Sequence, residues 1–311
     1  MSRFLVIGAG GQVGEKIGQL AQAKSHHVIG AYKSRAPETQ FSETLVLDKT
    51  KKDDVERAVS KYQPDVVIDT AALHNVDYCE SHPDEAMAVN RDGTANLALA
   101  ATSVRAKFIF VSTDFIFDGV GAPYTEESEP RPLSMYGMSK VEGEKKTLSI
   151  GKDNAAVCRP AVIYSWVKST RSASGSSSGK PLNFGAWLAS QLQSKKEVKI
   201  VTDQITSPTL ADDLAAAIVV IAEKRSASGI FHTAGATALS RYDFSIKLAE
   251  KMGYDKTLIH PIDSSQLKQV AKRPLNSSLL SERIKRVVGY SMMDINQSLE
   301  KFASQAASDK N

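Results

Sequence analysis

The stretch that most constrains this chain is its N-terminal run Phe4-Leu-Val-Ile-Gly-Ala-Gly-Gly-Gln-Val-Gly14. Four apolar residues of strand type lead into a glycine cluster, which opens onto a helical pattern from Gln12 towards Lys24. Glycines at 8, 11 and 14 allow a tight turn and a close approach of the backbone to a pyrophosphate, while the following helix directs N–H groups at that anion. Glycine turns are common, but this placement between a strand and a helix predicts a dinucleotide-binding loop.

The composition is that of an ordinary globular protein. The 311 residues are 42% hydrophobic and 24% charged, with a net charge of +4, which suits one large or two intimate domains. The basic excess is mild and forms no stripe with interleaved aromatics, so we expect no nucleic-acid partner. No apolar run approaches the ~18 residues that span a bilayer, and the chain starts on a strand rather than a signal peptide. We therefore expect a cytoplasmic protein with no membrane partner.

The two cysteines and six histidines give no sign of a metal site. Cys79 and Cys158 form no CxxC pair and are interpreted as free structural thiols in a reducing cytosol. The histidines show no ligand spacing, so no metal is expected.

Strands and helices alternate through the first half of the chain. Further strands are predicted at 27–32, 44–47, 65–69 and 107–112, with a helix from about Pro83 to Ser103 that carries Asn90. Thr50 and Asp53 are expected to form the capping box of a helix that ends near Tyr62. The strands are apolar runs without polar alternation, as helices on both faces of a parallel sheet require. The predicted fold class is α/β, a doubly wound (Rossmann) parallel sheet.

The residues after the second and third strands bear on the cofactor. The second strand lacks the terminal acidic side chain that would bind the ribose hydroxyls of NAD, and Lys33 and Arg35 follow it instead. We expect one of these cations to accept a 2′-phosphate, which favours NADP over NAD; the alternative is a solvated basic turn. Asp48 is placed to meet the adenine, and the small residues at 70–73 leave room for a ligand.

Tyr136 and Lys140 are four residues apart in a predicted helix, one turn from each other. A lysine cation near a phenol favours the phenolate and would lower the tyrosine pKa towards neutrality. Tyrosine could then hand a proton to a carbonyl oxygen as a hydride reaches the carbon. The YxxxK spacing is weak alone, but it follows a glycine loop and the Ser-Thr pair that ends the fifth strand.

Through these motifs the chain resembles the extended short-chain dehydrogenase/reductase family. It is most similar to the dTDP-4-dehydrorhamnose reductase branch, which also contains the β regulatory subunit of methionine adenosyltransferase. The matching residues are the glycine loop, Ala71-Ala72-Leu73, Val89-Asn90, Gly93-Thr94, Ser112-Thr113-Asp114, Phe117-Asp118-Gly119, Tyr136, Lys140, Arg159-Pro160, Asp203-Gln204, Ser207-Pro208-Thr209, Arg273-Pro274 and Asn276.

The resemblance implies a role for each group. Thr113 would hydrogen-bond the substrate carbonyl, Tyr136 would donate the proton, and Lys140 would hold the nicotinamide ribose. Asp114 would touch the sugar, and Asn183 and Arg273 are further substrate-binding candidates; a structural salt bridge is the alternative for Arg273. The cofactor contacts implied are Gly8, Gly11, Gln12, Val13, Gly14, Lys33, Arg35, Asp48, Ala71, Ala72, Leu73, Asn90, Ser112, Tyr136, Lys140 and Pro160.

The chain departs from the family pattern at three positions. Ile7 replaces a common threonine before the first glycine. Phe115 stands where this branch usually has tyrosine and where dehydratase relatives carry a glutamate, which argues against dehydration. Val162 falls where the rhamnose enzyme places a tryptophan against its sugar. The identity of the sugar is therefore left open.

The second half predicts a smaller mixed α/β domain. We expect an NADP-binding domain over 1–160 and a mainly substrate-binding domain over 161–311, with segments at about 205–235 returning to the Rossmann core. The predicted elements are strands at 155–160, 161–164, 197–201 and 229–233, and helices at 182–194, 210–223, 240–252 (begun by a capping box of Ser240 and Asp243) and 293–303. The low-complexity stretch 168–180 is either a disordered loop or a lid whose three cations meet a diphosphate.

Together these observations favour NAD(P)H-dependent reduction of a nucleotide-linked 4-keto sugar, with hydride from the nicotinamide and the proton from Tyr136. The first alternative is a non-catalytic NADP-binding regulatory subunit like methionine adenosyltransferase β, which the intact Thr113, Tyr136 and Lys140 set does not exclude. The second is a sugar-nucleotide epimerase. The expected ligands are NADP, or else NAD, and a nucleotide sugar; a homodimer is left open.

Overall fold

A seven-stranded parallel sheet forms the centre of the protein, in the order β11-β6-β5-β4-β1-β2-β3. The structure is a computed structural model and describes residues 1–166 and 183–309. In chain order the strands are β1 (Arg3–Ile7), β2 (His27–Tyr32), β3 (Glu43–Val46), β4 (Val66–Asp69), β5 (Lys107–Val111), β6 (Ala155–Arg159), β7 (Ala161–Tyr164), β8 (Val198–Val201), β9 (Ile205–Thr206), β10 (Pro208–Leu210), β11 (Gly229–His232), β12 (Leu239–Ser240) and β13 (Ile259–Ile262).

Helices cover both faces of this sheet. In chain order the described α-helices are α1 (Gln12–Ala23), α2 (Lys52–Tyr62), α3 (Val76–Ser81), α4 (Pro83–Met87), α5 (Gly93–Ser103), α6 (Met135–Gly151), α7 (Phe184–Gln193), α8 (Ala211–Glu223), α9 (Arg241–Met252), α10 (Glu282–Val288) and α11 (Ile295–Ser308). One buried cluster joins the sheet to α1, α8 and α10, and a second joins the opposite face to α2 and α5, with α6 at its margin. The α/β doubly wound fold predicted from the sequence is confirmed.

The strand order reverses between β1 and β4, which lie side by side in parallel register with Ile7 opposite Asp69. At such a reversal the chain leaves the two strands towards opposite faces, which opens a crevice at their carboxyl ends. The glycine loop after Ile7 and the segment after Asp69 meet in this crevice: Thr70 donates both its N–H and its hydroxyl to the Ile7 oxygen, at 3.0 and 2.8 Å. Any ligand of the sheet is expected to lie there.

The second half of the chain builds a smaller layer around its own core. Strands pair two by two, β7 with β10 and β8 with β13 in parallel and β9 with β12 antiparallel. Helices α7, α9 and α11 pack over them through a cluster that includes Tyr164, Phe244 and Phe302, all at most 2% exposed. Strand β11 instead returns to the edge of the large sheet beside β6.

Several local predictions need correction. The capping box of Thr50 with Asp53 is wrong, because Lys51 precedes the first helical residue and the Thr50 hydroxyl donates to Asp48 instead, at 2.8 Å. The helix expected over 83–103 is interrupted by a π-helical turn, Ala88–Asp92. Helix α10 was not predicted. Ser240 does cap α9, since its hydroxyl accepts from the Asp243 N–H at 2.9 Å.

Two further facts concern the chain as a whole. In the part of the chain that the structure describes, no helix has the length and apolarity needed to cross a membrane. The stretch interpreted as a loop or lid, 168–180, lies outside the described residues.

Candidate active site

The glycine loop has the backbone geometry that the sequence predicts. Gly8 has φ of +83°, and a Cβ there would lie 2.7 Å from the Thr70 hydroxyl. A Cβ at Gly14 would collide with the Gly8 oxygen, so the helix can approach the turn only without a side chain. Gly11 is exposed at the N-cap of α1, and no side chain caps the helix. The loop therefore presents a helix N-terminus that can hold a pyrophosphate.

The carboxyl end of β5 carries two hydroxyls at the same edge of the sheet. Ser112 is 5% exposed, and its hydroxyl has no hydrogen-bond partner among the described residues. Thr113 is 7% exposed; its hydroxyl accepts from the Phe115 N–H at 3.2 Å. A buried hydroxyl with unused bonding capacity, at the same edge of the sheet as the glycine loop, fits a polar ligand such as a dinucleotide.

Tyr136 and Lys140 lie on α6 as predicted, and Ser134 caps this helix by accepting from the Gly137 N–H at 3.2 Å. The phenol ring of Tyr136 meets the ring of Phe115 edge-on, with 6.2 Å between centroids. Lys140 is 1% exposed, and its ammonium donates to the Val111 oxygen at 2.7 Å. These residues come together at the carboxyl end of β5.

The electrostatics of the pair differ from the sequence-based expectation. Burial raises the pKa of Tyr136 above its usual range; the Thr113 hydroxyl opposes this shift, and Asp114 adds to it. Burial, followed by the positive charge of Lys49, lowers the pKa of Lys140 to about 7. The prediction that Lys140 draws the Tyr136 pKa towards neutrality is therefore wrong. At neutral pH the phenol keeps its proton, which is the form that a proton donor needs.

Asp114, expected to touch the sugar, is a buried junction between the two halves of the chain. It is 2% exposed, and its Oδ2 accepts hydrogen bonds from Ser277 at 2.5 Å and Thr206 at 3.3 Å. Its Oδ1 accepts from Thr113 at 3.2 Å. Burial raises the pKa of Asp114 despite these hydroxyls. The carboxyl thus holds Thr113 in place, while its own contact with a sugar stays a prediction.

Two other substrate candidates have partners within the protein. Arg273 donates to both oxygens of Asp77 at 3.0 Å, so the salt bridge considered as its alternative role is present. Asn183 caps α7, and its amide donates to Ser165 and to the side-chain oxygen of Gln12 at 3.1 Å. Gln12 therefore connects the glycine loop to the second half of the chain. Contact of Arg273 or Asn183 with a substrate stays a prediction.

The two cations expected to bind a 2′-phosphate follow β2, and the backbone of Arg35 lies beside the glycine loop. Lys33 is 66% exposed and ion-paired with Asp48 at 2.7 Å. Arg35 is 31% exposed, lies 3.6 Å from Glu38, and places its backbone oxygen against Gly10. Hydrogen bonds from Lys33 and Thr50 hold the pKa of Asp48 below its usual value although burial opposes them.

The Asn90 side chain hydrogen-bonds the backbone of the segment that follows β4. It is fully buried in the π-helical turn. Its side-chain amide accepts from the Leu73 N–H and donates to the Leu73 oxygen, both at 3.0 Å, and also donates to Ser139 on α6 at 2.9 Å. Asn90 therefore shapes the half-buried segment Ala71, Ala72 and Leu73 in this structure through the backbone of Leu73.

Next to Asp114, the chain turns from β6 into β7. The Pro160 oxygen accepts from the Asp114 N–H at 3.0 Å. Val162 has φ of +36°, which is a strained conformation for a β-branched residue. Val162, which stands where the rhamnose enzyme places a tryptophan, thus also has an unusual backbone conformation.

Sequence reasoning missed two charged residues near the site. Lys49 is 4% exposed and forms an ion pair with the fully buried Asp69 at 2.7 Å. Arg241 lies over the ring of Phe184, 5.0 Å from its centroid, and its charge lowers the pKa of Asp114 against the effect of burial. A lysine directly after a strand end was the available signal for Lys49, but nothing in the local sequence separates it from the exposed lysines that follow.

The described residues, 1–166 and 183–309, contain no group of three or more His, Cys, Asp or Glu side chains placed to hold a metal ion. Both cysteines are free and buried. Burial raises the pKa of Cys79 to about 11 and that of Cys158 to about 12, so neither is a thiolate at neutral pH.

Residues 2–308 match the family model described as RmlD substrate binding domain. The chain belongs to this family. A probable low-salt glycan biosynthesis reductase, Agl14, from Haloferax volcanii is 32% identical over 295 residues, covering 94% of this chain and 95% of that protein. A dTDP-4-dehydrorhamnose reductase from Mycolicibacterium smegmatis is 34% identical over 283 residues, which cover 90% of this chain and 79% of that protein. Methionine adenosyltransferase 2 subunit beta from Bos taurus is 31% identical over 286 residues, which cover 91% of this chain and 81% of that protein.

Solved structures agree with this assignment to the RmlD family. The dTDP-4-dehydrorhamnose reductase of Clostridium acetobutylicum superposes with a TM-score of 0.85 at 29% identity, covering 98% of this chain and 99% of that one. That of Bacillus anthracis, in complex with NADP, has a TM-score of 0.84 at 24% identity, covering 98% and 99%, and shows the same fold. The branch indicated by the resemblance, with its reductases and its regulatory subunits, is confirmed.

Proposed function

We propose that this protein is an NAD(P)H-dependent reductase of a nucleotide-linked 4-keto sugar, with Tyr136 as proton donor. The observation that carries the proposal is the placement of Tyr136 and Lys140 on α6 against the residues that end and follow β5, at the same edge of the parallel sheet as the glycine loop after β1. A ketone reduction needs a hydride donor and an acid on one side of the carbonyl, and this edge provides a place for both. Relatives named as reductases support the same chemistry.

The chain's own residues divide the work as follows. When bound, a nicotinamide cofactor supplies the hydride. Asp114 positions Thr113 in the free protein; with substrate bound, Thr113 would turn its one hydroxyl proton from Asp114 to the substrate carbonyl oxygen and orient that oxygen towards Tyr136. Tyr136 gives its proton to that oxygen as negative charge develops there. Lys140 lies one turn along α6 and would hold the nicotinamide ribose.

We propose NADP as the preferred cofactor, with NAD as the alternative. Lys33 and Arg35 stand where an acidic residue would favour NAD, and the Arg35 backbone lies against Gly10 of the glycine loop. The structurally similar reductase of Bacillus anthracis binds NADP. Phe115 supports reduction rather than dehydration, since its ring meets Tyr136 and brings no second acid or base.

An NADPH-oxidation screen over a panel of nucleotide-4-keto sugars tests the proposal. We expect turnover with at least one member of the panel by the wild-type protein, and turnover at least ~10²-fold slower by Tyr136→Phe. Interconversion of sugar epimers without net NADPH consumption would instead indicate an epimerase. Equal turnover by both proteins would rule out Tyr136 as the acid.

A second candidate is a regulatory subunit that binds its nucleotide without turnover. The 31% identity to methionine adenosyltransferase 2 subunit beta over 91% of the chain favours it. The two proposals separate in one comparison: absence of NADPH oxidation with every sugar, together with co-purification of a methionine adenosyltransferase, would reverse their order.

A further inference from the structure

A buried ion pair lies directly under the segment expected to hold the cofactor. The Lys49 ammonium contacts Asp69 at 2.7 Å and the Thr94 hydroxyl at 3.3 Å, and Thr94 donates to Asp69 at 3.0 Å. Lys49 is 4% exposed, and Asp69 and Thr94 are fully buried. Burying two charges in this way costs free energy unless further hydrogen bonds satisfy both groups. The partners of those further hydrogen bonds therefore indicate what the ion pair does.

The remaining bonds of the pair all go to one residue, Ala71. Asp69 Oδ1 accepts from the Ala71 N–H at 3.1 Å, and Lys49 donates to the Ala71 oxygen at 2.6 Å. Two residues on, the Asn90 amide holds the N–H and oxygen of Leu73 in the same manner. Buried side chains thus fix the backbone of the segment at Ala71 and at Leu73, while residues 71–73 themselves stay half-buried at the crevice.

The surrounding sequence makes room for this lysine. The aliphatic chain of Lys49 crosses the start of α5, where a Cβ at Gly93 would lie 2.8 Å from its Cγ. Asn96, one turn further along α5, donates to the Lys49 backbone oxygen at 3.1 Å. The Gly93-Thr94 pair matched the family pattern without an assigned role. Here Gly93 leaves space for the Lys49 side chain, and the Thr94 hydroxyl accepts from its ammonium.

We propose that Lys49, together with Asp69 and Thr94, is a positioning group that fixes the backbone of Ala71 and thereby sets the affinity of the Ala71–Leu73 segment for the dinucleotide. The inference rests on the proposed function, because that segment lines the cofactor there. Lys49 does not touch the reacting atoms. Its neighbour Asp48 is paired with Lys33, so consecutive residues of the loop after β3 contact the loops after β2 and β4.

Lys107 offers a matched control. It is likewise a buried lysine, 2% exposed, whose ammonium donates to two backbone oxygens, those of Ile221 at 2.6 Å and Lys224 at 2.7 Å. It lies at the start of β5, at the opposite end of the sheet from the crevice. Lys107→Met therefore removes a buried ammonium and its hydrogen bonds to backbone oxygens without touching a cofactor segment.

The experiment measures the dissociation constant of NADPH by fluorescence titration, without sugar, for the wild type, Lys49→Met, Lys49→Met/Asp69→Asn and Lys107→Met. The double variant guards against unfolding by an unpaired Asp69, and the amide oxygen that replaces the carboxylate can still accept from the Ala71 N–H. It also removes together the opposing effects of Lys49 and Asp69 on the pKa of Lys140. Melting temperatures are recorded in parallel.

We expect the Lys49 variants to bind NADPH about tenfold more weakly, equivalent to ~1.4 kcal/mol, and Lys107→Met to bind as the wild type does. The loss should be the same for 2′-phospho-ADP-ribose, which lacks the nicotinamide. Binding within twofold of the wild type by the double variant, or an equal loss in Lys107→Met, overturns the inference. Failure of the wild type to bind NADPH overturns both this inference and the cofactor proposal, whereas binding without sugar reduction defeats only the proposed function.

Discussion

The Lys140 ammonium donates a 2.7 Å hydrogen bond to the Val111 oxygen, the last residue of β5, and lies 3.9 Å from the centroid of the Phe110 ring. The lysine is thereby held against the strand that carries Ser112 and Thr113. Burial, followed by the charge of Lys49, lowers its pKa to about 7, while Asp69 and Glu144 act in the opposite direction. Helix α6 therefore carries a lysine whose pKa lies near neutrality.

This pKa predicts a pH dependence of the reaction. Below about pH 7 the Lys140 amine is protonated and can hold the nicotinamide ribose by a charged hydrogen bond; above it that charge is lost. We expect kcat/KM measured with the active keto-sugar nucleotide to fall as pH rises through about 7. In Lys140→Arg, which keeps its charge, the fall should move to higher pH. An unchanged profile in that variant would assign the titration to another group.

Replacement of Tyr136 by phenylalanine should lower kcat by at least ~10²-fold with little change in KM, because only the proton donated in the transition state is lost. The edge-on packing against Phe115 needs only the ring, so the fold should be kept. Tyr78→Phe is the matched control, since its hydroxyl bonds Glu85 outside the site. Near-normal turnover by Tyr136→Phe would contradict the assigned role.

The sequence was sufficient for the parts of the site that depend on local pattern. The strand–glycine–helix opening, the apolar strands and the Tyr136 to Lys140 spacing each reflect one element, and the structure has those elements. The sign of the Tyr136 pKa shift was wrong because burial in the fold raises that pKa, and the spacing of Tyr136 and Lys140 does not reveal burial. Lys49 was missed because its partner Asp69 lies at the end of β4, twenty residues away.

The hydrogen bond between Asp114 and Ser277 should be a strong link between the two halves of the chain. Ser277 donates at 2.5 Å to a buried carboxyl, and bonds to charged groups contribute about 1.5–3 kcal/mol. In urea unfolding, a double-mutant cycle of Asp114→Asn and Ser277→Ala should give a coupling of at least ~1 kcal/mol. As a control, the effects of Asp114→Asn and Tyr290→Phe on the free energy of unfolding should add, because the Tyr290 hydroxyl donates to Asp213 and not to Asp114. A Ser277 cycle without coupling would refute the link.

Cofactor preference should depend more on Arg35 than on Lys33. Lys33 is engaged by Asp48 at 2.7 Å, whereas Arg35 is 3.6 Å from Glu38 and directly beside Gly10. We expect Arg35→Ser to lower the NADPH to NADH ratio of kcat/KM by about tenfold, and Lys33→Ser to lower it less, because a 2′-phosphate loses its nearest cation. Ratios that stay unchanged in both variants and in the double variant would show that neither residue reads the phosphate.

His232 should make the protein acid-sensitive. Its Nδ1 lies 3.2 Å from the Leu280 oxygen and its Nε2 lies 3.4 Å from Arg159, so the neutral ring donates to one and accepts from the other. Burial, then the Arg159 charge, lowers the pKa of His232 to about 3. Between pH 6.5 and 3 the unfolded chain therefore binds a proton that the folded one does not, and stability should fall as pH falls, by up to about 1.4 kcal/mol per pH unit.

Urea unfolding at pH 7, 5.5 and 4.5 measures this contribution as a difference between proteins, so that other titrating groups cancel. The stability advantage of the wild type over His232→Gln should shrink steadily with acid, because the variant has no imidazole to protonate when it unfolds. His74→Gln, at an exposed position, should follow the wild type at every pH. A constant difference between the wild type and His232→Gln would mean that His232 takes up its proton at the same pH in the folded and unfolded chains, which would contradict its lowered pKa.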